Sequence, residues 1–118
     1  MPALTLRTAR CRFTEAIAAL IQFATARGYE LALAEGMDRK TTKDPTTDHM
    51  PGSLHEIGLA QDIDLYLGGV YLNNSEDYIM LGTFWEDFGT EHGLPLAWGG
   101  NFKISDGCHF SLRWKGVS

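Results

Sequence analysis

Two histidines and three aspartates fall in two short stretches of this chain, and their types suit metal-assisted hydrolysis. The stretch "SLHEIGLAQDIDLYLGGVYL", residues 53–72, holds His55 and, seven positions later, Asp62. Near the other end, "SDGCHFSLRW", residues 105–114, holds Asp106 and, three positions later, His109. Two neutral imidazoles and one carboxylate form a three-donor set suited to one Zn²⁺ ion, with a fourth position left open, which is the catalytic rather than the structural pattern. Asp106, across Gly107 from His109, would then stand where a general base can take a proton from water. Spacing alone also allows a second reading. In it, both histidines are hydrogen-bonded structural residues, Asp62 is a buried acceptor, and Asp106 is a turn residue of "SDG".

The elements around these residues decide whether they can meet. Apolar residues Phe13, Ile17, Leu20, Ile21 and Ala24 recur at helical spacing from about Thr8 to Ala26, with Gly28 as the stop. "YELALAE" alternates and reads as a strand with Leu31 and Leu33 on one face. Residues 36–52, polar and holding two prolines, read as a long loop of the kind that often serves binding. "GLAQDIDLYLGGVYL" reads as a strand, a turn at Gly68-Gly69 and a returning strand. Alternation puts Ala60, Asp62 and Asp64 on one face of the first strand, where a carboxylate needs donors or a cation.

Residues 77–92 space Tyr78, Leu81, Trp85 and Phe88 as one helix face, although Gly82 interrupts them. "LPLAWGGNFKISDG" reads as irregular. "HFSLRW" reads as a last strand with Phe110, Leu112 and Trp114 on its apolar side and His109, Ser111 and Arg113 on its polar side. The order is that of a small α+β domain with an antiparallel sheet. The chain has 118 residues, enough for one domain spanning 1–118.

The net charge of −5, with no basic cluster, argues against a nucleic-acid surface. No apolar run reaches the ~18 residues of a membrane span, and no signal peptide is recognisable. Cys11 and Cys108 are expected as free thiols, with Cys108 packed on the face opposite His109. Asp64 is expected to support a ligand or face solvent, and His49 and His92 to lie at the surface. Trp98 could wall a groove or fill the core.

Residues 53–62 resemble the Ser-x-His-x-x-Gly-x-Ala-x-Asp signature of the zinc D-Ala-D-Ala carboxypeptidase and L-alanyl-D-glutamate endopeptidase family. "DGCHFSL" resembles the Asp/Glu-x-x-His block of that family, and "YIMLGTFWEDFG…WGGNFK" resembles its phage endolysin branch. The resemblance spans roughly residues 13–114. It implies the small α+β fold shared with the Hedgehog signalling domain, with His55, Asp62 and His109 as zinc ligands and Asp106 as catalytic base. It also implies Ser53 as a substrate contact. The family's Glu-x-x-Arg element is matched only with Arg39 one position late, so Arg39 carries over as a substrate-binding candidate with its register in question.

The implied partner is the bacterial peptidoglycan stem peptide, cut by a monomer. The implied setting is the host cytoplasm, followed by holin-type release or delivery in a virion. A D-Ala-D-Ala carboxypeptidase or dipeptidase is the alternative within this chemistry. A non-catalytic zinc domain of Hedgehog type is the alternative outside it.

Overall fold

A computed structural model describes residues 4–34 and 53–118. Helix α1 spans Leu6–Thr25, and the Thr5 hydroxyl caps it by accepting from the Thr8 N–H at 3.1 Å. The buried stripe of α1 is Ala9, Phe13, Ala16, Leu20 and Ala24. Three of these five are alanines, which lets the helix lie close to its neighbours. Ile17 is only partly buried, so the stripe runs through smaller residues than the apolar spacing suggested.

Strand β1, Tyr29–Leu33, pairs antiparallel with β2, Ala60–Leu67. Leu33 is 55% exposed rather than sharing a buried face with Leu31. At Gly68-Gly69 the chain reverses with φ of 58° and 80°, the two positive values of a tight hairpin turn, and returns as β3, Val70–Leu72. Helix α2, Ile79–His92, follows a 3₁₀ turn at Ser75–Tyr78. The expected face is present, with Tyr78, Leu81 and Trp85 buried.

Two short strands complete the sheet: β4, Leu96–Trp98, and β5, His109–Leu112. The order is β1-β2-β5-β4, with β3 also on β2, and every pairing is antiparallel. The fold is therefore the expected α+β class, a small antiparallel sheet flanked by two helices. Strand β4 lies within the stretch expected to be irregular. Three residues between a proline and two glycines show no alternation of their own, and β4 exists because Leu96, Ala97 and Trp98 pair with Leu112, Ser111 and Phe110.

The core centres on Trp85. Its ring meets Phe13 edge-on at 5.7 Å and Phe110 at 5.8 Å, and its indole N–H donates to the carbonyls of Ala97 and Ser111. One side chain thus ties α1 and α2 to β4 and β5. The expected polar side of β5 is not solvated, since His109 and Ser111 are as buried as Phe110 and Leu112. The expected long loop lies outside the described residues. Among the described residues, no helix is long and apolar enough to cross a membrane.

Candidate metal centre

Register brings the distant donors together. Asp62 on β2 is the cross-strand partner of His109 on β5, and directly opposed residues of an antiparallel pair project from the same face. His55 arrives differently. It sits in a 3₁₀ turn, Leu54–Ile57, whose first N–H groups are satisfied by Ser53: the Ser53 hydroxyl accepts from the His55 N–H at 3.2 Å. Gly58 ends the turn at φ +77°, and the Leu59 N–H returns to the Leu54 carbonyl. The motif serine and glycine therefore build the turn that carries the histidine beside β2.

The resulting cluster is compact. His55 Nε2 and His109 Nδ1 each stand 3.5 Å from Asp62 Oδ1, and the ligand atoms of the three residues lie within 4.8 Å of one another. Asp62 and His109 are 8% and 6% exposed. A direct imidazole–carboxylate hydrogen bond would be shorter, about 2.7–3.2 Å. A tetrahedral ion with bonds near 2.1 Å spaces its donors about 3.4 Å apart, close to both separations. The His109 side chain makes no hydrogen bond among the described residues, and its Nε2 is buried without a partner. What favours an ion is the convergence of both ring nitrogens on one carboxylate oxygen at separations longer than a hydrogen bond. The three residues could hold one metal ion.

Asp106 lies on the turn before β5, exposed, with its carboxylate near Asp62. The turn is pinned from several sides. The Asp106 N–H donates to Gly99 O at 2.9 Å, and the Gly107 N–H donates to Ser75 Oγ at 2.9 Å. Trp98 Nε1 donates to Gly107 O at 2.7 Å. A side chain at Gly99 would collide with the Asp106 carbonyl, and one at Gly107 with the Ser75 backbone, so both glycines serve close backbone approach.

The expectation for Cys108 needs correction. It packs partly against the core, but its thiol also donates to Asp106 Oδ1 at 3.3 Å, and its sulfur joins Asp62 and Asp106 in a second donor cluster. Strand alternation did not apply to it, because Cys108 precedes β5 and belongs to the turn. Neither Cys11 nor Cys108 forms a disulfide.

Trp98 fills the core, as one of its two expected roles required. It also lines a groove of about 670 Å³ with Ser75, Glu86, Asn101 and Ser105. That groove is lined by none of the metal donors. Glu86 braces its wall by accepting from the Trp98 N–H and the Asn101 amide, a support that no motif announced. A smaller groove of about 460 Å³ reaches His55 and is lined by Arg7 and Arg10 of α1. Asp64 belongs to neither donor cluster, and His92 caps its own helix by bonding Phe88 O. Arg39 and His49 lie outside the described residues.

The fold and the site define a class: a small α+β domain presenting two histidines and a carboxylate as a possible metal centre. No protein-family model and no curated protein sequence matches the chain. Among solved structures it is similar to the L-Ala D-Glu endopeptidase ChiX of Serratia marcescens. The TM-score is 0.66 at 22% sequence identity, covering 92% of this chain and 83% of that one. At that identity the likeness establishes a shared fold.

Proposed function

We propose that this chain is a zinc-dependent peptidoglycan peptidase that cuts the L-alanyl–D-glutamate bond of the stem peptide, as a phage or prophage endolysin would. The observation that carries this reading is the donor geometry, with both histidine nitrogens at 3.5 Å from Asp62 Oδ1 and the Asp106 carboxylate near Asp62. The fold shared with an L-Ala D-Glu endopeptidase supports the choice of bond.

In this reading His55, Asp62 and His109 hold the ion. A divalent ion there supplies Lewis-acid polarisation of a carbonyl and makes water acidic near neutral pH. Asp106 accepts a proton from the attacking water and returns it to the departing amine. Its turn is fixed by Trp98, Ser75 and Gly99, so the carboxylate is positioned before substrate arrives. The Cys108 thiol donates to one oxygen of that carboxylate. The Ser53 hydroxyl, engaged with the His55 N–H, can still donate its own proton to a substrate carbonyl. Arg39 is the remaining substrate-binding candidate. The protein acts as a monomer, reaching the wall by holin-type release or within a virion.

The test is mass spectrometry of purified peptidoglycan after digestion, with chelator-treated and zinc-restored protein. New L-alanine carboxyl ends on the glycan, lost with chelator and restored by Zn²⁺, are expected. Loss of terminal D-alanine instead would make the enzyme a carboxypeptidase. Zinc uptake without any hydrolysis would make it a non-catalytic zinc domain, a reading that Asp106 argues against.

A further inference from the structure

The groove reaching His55 runs against the composition of the chain. Acidic residues outnumber basic ones by fifteen to ten, yet this groove presents Arg7 and Arg10 from the first two turns of α1. Neither guanidinium has an ion-pair partner among the described residues. Other arginines are engaged: Arg12 of the helix pairs with Glu15 at 3.3 Å, and Arg27, in the turn after it, donates to Phe23 O at 3.1 Å.

Arg10 is also seated by the site's own backbone. A Cβ at Gly58 would come within 2.9 Å of Arg10 Nε, so the guanidinium lies close against the turn that carries His55. Gly58 thus serves two needs, the left-handed end of that turn and the close approach of an arginine. Phe13 and Ala60 supply apolar floor, and Gln61 a polar edge. At about 460 Å³ the groove is of a size that takes a small ligand.

From this we infer that the Arg7–Arg10 groove is a carboxylate subsite, binding the free α-carboxylate of the D-glutamate that follows the scissile bond. The inference rests on the proposed peptidase reading, because His55 is what joins the groove to the reacting centre. Guanidinium groups recognise carboxylates through paired, charge-assisted N–H donors, which a neutral amide matches less well. The placement also explains why an acidic chain keeps two uncompensated arginines there, since its overall charge would otherwise repel an anionic stem peptide.

The test compares binding and cleavage of two synthetic stem peptides, one carrying the D-glutamate α-carboxylate and one its α-carboxamide. Titration calorimetry of the zinc-loaded protein with the corresponding D-glutamyl product peptides reads binding without turnover. The wild-type protein is expected to favour the acid by roughly 10- to 100-fold. The double variant Arg7→Ala/Arg10→Ala is expected to lose that preference while keeping its zinc content and thermal midpoint. Arg12→Ala removes the same kind of charge outside the groove and is expected to keep the preference. Equal binding of acid and amide by the wild type, or an unchanged preference in the double variant, overturns the subsite. A preserved binding preference with no cleavage of either peptide would instead sink the peptidase reading and leave the subsite standing.

Discussion

Replacing Asp62 with Asn tests whether the three donors are held apart by an ion or merely packed together. The change keeps the shape of the side chain and removes its charge. In the native chain, a metal that binds only the folded state stabilises it by RT ln(1 + [L]/Kd), about 2.7 kcal/mol at a hundred times Kd. For 118 residues the unfolding entropy is about 0.25 kcal/mol per kelvin, so the melting temperature should rise by about 11 °C.

Asp62 Oδ1 is the donor common to both 3.5 Å separations, so its loss leaves two imidazoles without the central anion. If affinity falls about a hundredfold, the same metal concentration yields about 0.4 kcal/mol, or a rise of about 2 °C. The assay is scanning calorimetry of chelator-stripped protein, native and Asp62→Asn, with and without Zn²⁺. Equal rises in the two proteins, or no rise in the native one, would refute a metal centre at these residues.

Other outcomes follow from the same geometry. Asp106→Asn should lower hydrolysis by roughly 10²- to 10⁴-fold with zinc content unchanged by elemental analysis, as expected for a proton carrier that is not a ligand. Gly82→Ala should cost about 1–3 kcal/mol in urea unfolding, because the new Cβ would collide with the Trp98 ring. Tyr78→Phe removes a hydroxyl that donates to Leu72 O and accepts from the buried Leu65 N–H, a loss of about 1–3 kcal/mol. Burial also raises the ionisation of the Tyr78 phenol above its ordinary value near 10. Above that pH the unfolded chain therefore binds fewer protons than the folded one, and native stability falls as pH rises. Urea titrations between pH 10 and 11 should show that decline shallower in Tyr78→Phe, by up to about 1.4 kcal/mol per pH unit.

Local sequence determined much of this protein. Helical spacing marks α1 and α2, alternation marks β2 and β5, and the Gly68-Gly69 pair fixes the hairpin, because each of these is a short-range preference of the backbone. His55, Asp62, Asp106 and His109 could be picked from the sequence as candidates, since few side chains can serve as donors or as a base, and the fold brings the two histidines and Asp62 together. Tertiary structure decided the rest.

Strand β4 forms only by pairing with β5, so three residues between Pro95 and Gly99 gave no sign of it. Gly82 looked like a flaw in a helix and is instead the space that Trp98 occupies. Cys108 looked like packing and holds the Asp106 carboxylate, because a turn rather than a strand sets its direction. The cross-strand register of Asp62 with His109 joins residues 47 positions apart, and the Arg7–Arg10 groove exists only where α1 crosses the His55 turn. Such proximities come from the packing of whole elements, which depends on burial summed over the chain and is not encoded by any single stretch of it.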